Sequence, residues 1–333
     1  MSEIIAVSET ENTDNLIKEP VISVAMLVYN HAEYLDHALQ SIFSQNIKVP
    51  FEVVVGEDCS PDASRQILNK WKQKYPANIR LIYREHNVGM NENTLSVLFG
   101  CRGKYVAWLE GDDYWTDNCK LQKQYDFLEN HKEYIAVLHN VQVVNQEEQP
   151  FEEAQNNYPL LKTQDFTMTD WKNGKTPGQT ASFFYRNIFK DMPSNNREIM
   201  SKYSLNGDSL MLGCLFMNGK VKVLDDVMAA YRYVTQGGHN WNSMSQGKNY
   251  CEKYYQQILD FEKLLAELYG CDISLQGQRY RQLLSARLTA KGSKKEEDRQ
   301  IANVIWEKER NKFGFYTFLC KYGVKRMFQK IFH

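Results

Sequence analysis

Three carboxylates fall within four residues at Glu110, Gly111, Asp112 and Asp113. Like charges packed that closely repel unless a cation or a positively charged ligand offsets them. Hard oxygen donors suit Mg²⁺ or Mn²⁺, above all where phosphate oxygens complete the shell. The chemistry these residues could carry is to hold a metal that in turn carries a diphosphate. A solvated Gly-Asp turn, with Asp113 or Asp117 as a helix cap, is the other arrangement they allow. A second acidic run, Glu57-Asp58-Cys59-Ser60-Pro61-Asp62, and a lone Asp208 ahead of an apolar segment are further candidates.

The elements that must position them can be read from apolar runs. Tyr105 to Leu109 has the length and aromatic content of a buried strand and stops at the acidic turn. Val21 to Val28 is nearly continuous in apolar residues, as a strand covered on both faces should be. Tyr29 and Asn30 follow, and Asn30 with Glu33 predicts a capping box for a helix running to about Gln45. Phe51 to Val55 and Ile79 to Tyr83 are further strands. Ser60-Pro61 starts the helix between them, and Leu95, Leu98 and Phe99 mark the next one. The helix after Asp113 carries Leu121, Tyr125 and Leu128, and Tyr134 to Val144 is a fifth strand. Such alternation predicts an α/β fold with a mostly parallel, doubly wound sheet, whose ligands bind outside the carboxyl ends of the strands. Tyr29 and Asn30, Glu57 and Asp58, and Asp112 and Asp113 all fall at that edge. Independent turns would rarely place carboxylates at the ends of two neighbouring strands, which favours the metal and phosphate reading. No G-x-G-x-x-G fingerprint is present, which counts against a nicotinamide or flavin enzyme.

Residues 145–178 are polar and predict an excursion across the active edge. Gln179 to Arg186 reads as a strand re-entering the core. Asp208 stands at the start of an apolar helix, Ser209 to Met217, where capping is its simplest role. Val221 to Leu224 and Met228 to Tyr233 read as two strands. They lead to the glycine-hinged stretch Gln236 to Trp241, in which His239 and Trp241 could close over a ligand or stand exposed. From Tyr250 to about Lys308 the pattern is helical. The tail, 312–333, interleaves Lys312, Lys321, Lys325, Arg326 and Lys330 with aromatic residues and contains no acid. Wound as a helix it matches an interfacial membrane helix, or one docked on the protein's own core or a partner.

Bulk properties narrow the classes. The 40 basic and 41 acidic residues give a net charge of −1, so the total does not point to nucleic acid. Seven cysteines, none in a CxxC-like pair, argue for reduced thiols over disulfides or zinc. No apolar run approaches the ~18 residues of a membrane-spanning helix, and the acidic start is unlike a signal peptide. The expected organisation is a flexible leader at 1–20, an α/β domain at 21–245 and a helical extension at 246–333, facing the cytoplasm.

In this order the elements resemble family 2 glycosyltransferases, which have the glycosyltransferase A fold and use nucleotide-diphosphate sugars. Ser23 to Asn30 matches the opening strand and its Tyr-Asn turn. Glu57 to Asp62 matches the acidic turn usually written Asp-Asp-Gly-Ser-x-Asp, with Glu57 and Cys59 as departures. Gly111-Asp112-Asp113 matches the DXD-like metal motif, and Asn206-Gly207-Asp208 the acidic motif of the acceptor-side helix. The resemblance implies that Asp58 accepts a hydrogen bond from the base, uracil by expectation, with Leu27, Tyr29, Asn30 and Glu57 around the nucleotide. It implies that Asp113 ligates Mn²⁺ or Mg²⁺, that Asp112 holds the ribose or sugar, and that Asp208 is the general base of an inverting displacement. Gln179, Thr180 and Ser182 would line the sugar pocket, and His239 or Trp241 the acceptor side. The expected acceptor is a surface-glycan precursor, lipid-linked if the tail docks peripherally on the inner face of the membrane. The Gln-x-x-Arg-Trp motif of polymerising synthases is missing. A sugar-phosphate nucleotidyltransferase would want a glycine-rich, basic loop where Tyr29 to Glu33 stands. An inert nucleotide-binding scaffold would not need to keep Asp208.

Overall fold

In the computed structural model, the residues described are 8–9, 15–203, 205–234, 249–293, 295–309 and 311–320. They fall into two compact units, residues 1–168 with 176–246, and residues 169–175 with 247–333.

The first unit is built on one ten-stranded sheet. Its strands are β1 (Ser8–Glu9), β2 (Ile22–Val28), β3 (Phe51–Glu57), β4 (Ile79–Tyr83), β5 (Tyr105–Trp108), β6 (Tyr114–Trp115), β7 (Tyr134–Val144), β8 (Gln164–Phe166), β9 (Phe184–Arg186) and β10 (Lys220–Arg232). The order is β1-β4-β3-β2-β5-β9-β7-β10-β6, with β8 also on β10. Strands β4, β3, β2 and β5 are parallel, as are β7 and β10. Chain order reverses between β2 and β5, the switch point where a crevice opens in such sheets. Every residue of β2 is buried, which is why it reads as a nearly continuous apolar run, with Ser23 as the exception. Helices α1 (Leu35–Phe43), α2 (Ser64–Lys74), α3 (Met90–Gly100) and α4 (Lys120–Asn130) follow β2 to β6 in the chain. Leu35, Ala38, Leu39 and Ile42 of α1, Leu68 of α2 and Leu121 of α4 pack into one core with β2, β3 and β5.

Register fixes the active edge. Val28 pairs with Glu57, and Glu57 with Tyr83, so the three strands end level. Beyond β5 the backbone stays on β2, with Leu109 N–H to Ala25 O (3.1 Å) and Gly111 N–H to Leu27 O (3.1 Å). The acidic turn is thereby delivered to the end of β2.

Several elements differ from the sequence reading. Asn30 does not cap a helix: it adopts φ +60°, and α1 begins at Leu35 after Tyr34. Gln179 to Arg186 is not one strand but a 3-10 turn, Thr180–Ser182, followed by β9, which lies antiparallel between β5 and β7. The two strands expected at 221–233 are one strand, β10. Asp225 and Asp226, which look like a turn, are absorbed where the register against β7 shifts between Leu224 and Val227. The polar excursion contains helix α5 (Glu152–Gln155), the strand β8, whose register runs antiparallel to β10, and helix α6 (Met168–Lys172), which from Thr169 on belongs to the second unit. Helices α7 (Ser194–Ser201) and α8 (Gly207–Asn218) complete the unit.

The second unit contains helices Cys251–Tyr269, Gln276–Gly292 and Glu296–Lys308. Tyr255, Tyr280, Leu283 and Ile305 form its core together with Phe315. Residues 312–320 are helical, with Phe315 buried and Phe313 and Tyr316 exposed; 321–333 lie outside the described residues. Among the described residues no helix is long and apolar enough to cross a membrane.

Candidate active site

The turn after β2 and the turn after β3 interlock. Backbone N–H groups of Asn30, His31 and Ala32 donate to Ser60 Oγ (3.0 Å), Ser64 Oγ (3.1 Å) and Asp62 Oδ2 (2.9 Å). Glu57 is fully buried within its own turn, accepting from Ser60 N–H (2.5 Å) and pairing with Arg65. Expected at the nucleotide, it braces the turn, fully buried with a donor on each oxygen. Asp58, 3% exposed, accepts backbone N–H groups of Val88 (2.8 Å) and Gly89 (2.9 Å). Burial raises its carboxyl above the usual range, opposed by those two N–H groups and by Arg84. Each carboxylate oxygen can accept a second hydrogen bond, so Asp58 keeps capacity for a ligand donor. Cys59, with φ +58°, occupies the left-handed conformation that glycine holds more cheaply. Of the remaining residues at this edge, Tyr29 is exposed and Leu27 is buried, its carbonyl holding Gly111.

Asp112 and Asp113 turn opposite ways. Asp113 is fully buried; Oδ1 accepts Arg232 N–H (2.9 Å) and Oδ2 accepts Gln179 Nε2 (3.1 Å). Burial, with Asp112 and Glu110 beside it, pushes its carboxyl well above the usual range. Asp112 accepts no hydrogen bond at its carboxylate among the described residues, and Oδ2 lies 3.9 Å from His31 Nε2. Gly111 is required between them and β2: a Cβ there would stand 2.7 Å from His31 Nδ1 and 3.1 Å from Val28 Cγ2.

Glu110 and Asp208 complete the acidic wall. Glu110 is pushed up to about 8, first by burial and then by the charges of Asp112 and Asp208, with Thr180 opposing the shift. Thr180 Oγ1 donates to Glu110 at 3.5 Å, whereas the buried Trp108 indole N–H makes no hydrogen bond. Asp208 is in the first turn of α8, after the cap residue Asn206, and its own Oδ1 accepts only the adjacent Ser209 N–H (2.7 Å). It is open to solvent, yet enough protein surrounds it to raise its carboxyl, as for a group on the wall of a cleft. Gly207 lets α8 approach α3: a Cβ there would lie 2.9 Å from Thr94 Oγ1.

The predicted residues thus separate into two sets. Asp58, Asp112 and Asp208 present carboxylates at the edge. Glu57, Asp113, Gln179 and Ser182 are buried supports, Ser182 with its hydroxyl on Gln179 O (2.6 Å). His239 and Trp241 lie outside the described residues. Sequence reasoning missed Arg232, His31 and the role of Glu110. Arg232 carried one usable signal: a cation ending an apolar strand needs a partner when buried. A metal fits this donor set in one form. Among the described residues no group of three protein ligands could hold an ion alone. Asp112 offers one hard carboxylate, as suits an octahedral cation shared with phosphate oxygens. Asp113, expected to ligate it, is fully buried with one donor on each oxygen, which makes its carboxylate the less open of the two.

Comparison with known proteins bears on the family and the fold. The model of glycosyl transferase family 2 matches residues 23–192. An uncharacterised protein of Mycobacterium tuberculosis is 32% identical over 218 residues, covering 65% of this chain and 60% of the relative's length. Among solved structures, Staphylococcus aureus TarS in complex with UDP-GlcNAc superposes with a TM-score of 0.60 at 19% identity, covering 85% of this chain and 79% of that one. The mannosyltransferase PcManGT of Pyrobaculum calidifontis, in complex with GDP-Man and Mn²⁺, gives 0.51 at 17% identity, covering 86% and 84%. At these identities the two structures share the fold.

Proposed function

Because this chain belongs to glycosyl transferase family 2, we propose that it transfers a sugar from a nucleotide-diphosphate donor, a UDP-sugar, to a hydroxyl of a surface-glycan precursor, with inversion. The observation that carries the reading is the convergence of Asp58, Asp112 and Asp208 from β3, β5 and α8 on one edge, close enough for Asp208 to act on Glu110. UDP-GlcNAc in TarS and Mn²⁺ in PcManGT support the donor class and the cation.

In this reading the base lies between Asp58 and the turn at Tyr29 and Asn30, and the diphosphate crosses the end of β2 towards Asp112. Asp112, in place of Asp113, faces a divalent cation. Mn²⁺ or Mg²⁺, when bound, would offset the charge of the departing diphosphate. Asp208 takes the proton of the acceptor hydroxyl as its oxygen forms the new bond to the anomeric carbon, and the bond to the diphosphate breaks on the opposite face. Its raised pKa makes it a stronger base than an ordinary aspartate. The sheet-bearing unit is the catalytic domain; residues 1–20, expected as a flexible leader, contribute its edge strand β1, and 246–333 is an extension whose tail, 312–333, touches the inner membrane surface and brings the enzyme to a lipid-linked acceptor.

Calorimetric titration of UDP with and without Mn²⁺ tests the reading on wild type, Asp112→Asn and Asp113→Asn. Metal-linked binding lost in Asp112→Asn is expected, followed by hydrolysis of one UDP-sugar by wild type. Absence of nucleoside-diphosphate binding in every condition would overturn it.

A further inference from the structure

Arg232, the last residue of β10, is 1% exposed and joins the acidic turn from two directions at once. Its backbone N–H holds Asp113 Oδ1 at 2.9 Å, while its side-chain Nε holds the Asp112 carbonyl at 2.9 Å. The remaining guanidinium nitrogens reach Gln146 O (3.1 Å) and Glu148 Oε1 (2.9 Å). The planar group lies over the Tyr34 ring, 4.3 Å from its centroid, and 5.5 Å from that of Tyr114. Glu148 is held in turn: it has φ +63° and accepts His37 Nδ1 at 2.8 Å, and His37 stacks on Tyr114 at 4.0 Å. An arginine so constrained has one arrangement available, and the fork geometry makes lysine a poor replacement.

We propose that Arg232 is a positioning residue: with Glu148 behind it, it fixes the Asp112–Asp113 turn so that Asp113 points inward and Asp112 outward, to the donor's cation. This rests on the metal-linked donor binding proposed above. Three carboxylates in four residues would otherwise be free to rotate apart under their mutual repulsion. Arg232 touches neither donor nor acceptor in this scheme; it acts through the turn. Asp58 is held separately, by Val88 and Gly89, so metal-free contacts to the base are independent of Arg232.

The test is UDP titration with and without Mn²⁺ on wild type, Arg232→Met, Arg232→Lys and Glu148→Gln, with thermal melts of each. In wild type, Mn²⁺ is expected to tighten UDP binding. Arg232→Met keeps the backbone N–H on Asp113 and removes the Nε bond to the Asp112 carbonyl together with the Glu148 pair, so the turn loosens behind the ligand and that gain should fall by about 10-fold or more, with metal-free affinity unchanged. Arg232→Lys should not restore it, and Glu148→Gln should lose part of it. Should Arg232→Met fail to fold, Glu148→Gln carries the test, since that carboxylate is 41% exposed. Variants that melt lower yet keep the whole Mn²⁺ gain would overturn the inference alone. A wild type whose UDP binding ignores Mn²⁺ would overturn the metal reading and this inference with it.

Discussion

Gln179 and Asp113 are joined by a buried hydrogen bond, Nε2 to Oδ2 at 3.1 Å, across 66 residues of chain. The same side chain accepts the Ala181 N–H through Oε1 (2.6 Å), starting the 3-10 turn that carries Thr180 to Glu110. Gln179 is thus a brace between the turn after β5 and the turn before β9. Gln179→Ala leaves one oxygen of a buried carboxyl without its donor, a loss of about 1–3 kcal/mol. Urea denaturation should show it, without a change in the donor KM.

Asp208→Asn removes the proton acceptor and keeps the shape. Transfer should fall about 10²–10⁴-fold, the range for loss of a general base, while UDP affinity and melting temperature hold. Because the protein around it raises the Asp208 carboxyl, the acid limb of kcat/KM in wild type should lie above the ordinary aspartate value of about 3.9, and activity should fall as pH drops through it. Unchanged turnover in Asp208→Asn would remove it from the chemistry.

Glu110 sets a pH dependence of stability in the metal-free protein. Its carboxyl rises from 4.5 to about 8 on folding, so the folded state binds more protons between those values. Stability from this group is full below the unfolded pKa and is lost as pH rises through the folded one. Asp113 and Asp208, also raised, act in the same direction. Glu110→Gln should flatten the decline, making the variant more stable than wild type at pH 8 or above by urea titration.

Gly56 sits in β3 directly under α3. A Cβ there would lie 2.3 Å from Asn93 Oδ1 and 2.6 Å from Val97 Cγ2. Gly56→Ala overpacks the site and should cost about 1–3 kcal/mol in denaturant titration.

In the helical unit, Glu309 is 1% exposed and accepts Tyr255 OH (2.9 Å) and Arg279 Nε (3.2 Å), while Arg279 also pairs with Glu262. Arg279→Met leaves both carboxylates without their cation and should cost roughly 3–5 kcal/mol, read as early unfolding of residues 247–333 by hydrogen exchange.

The sheet and its active edge were legible in the sequence because both rest on local regularities. Buried parallel strands must be mostly apolar, as β2 is apart from Ser23, and their carboxyl ends must collect the polar turns. Hence Asp58 and Asp112 stand out at strand ends, whereas Asp208, at a helix start where capping is the local reading, is singled out only by the family resemblance. Which aspartate of the adjacent pair faces outward was not legible, since residues one apart carry the same chemistry. Tertiary structure decided it: Arg232, 119 residues away, and Gln179, 66 away, claim the oxygens of Asp113 and leave those of Asp112 without hydrogen bonds among the described residues. The same holds for Glu57, whose partners Ser60 and Arg65 become its neighbours only when the turn closes. Sequence determines which groups reach the edge; only the long-range packing of β9 and β10 against β7 decides which of the paired aspartates is enclosed and given hydrogen-bond donors.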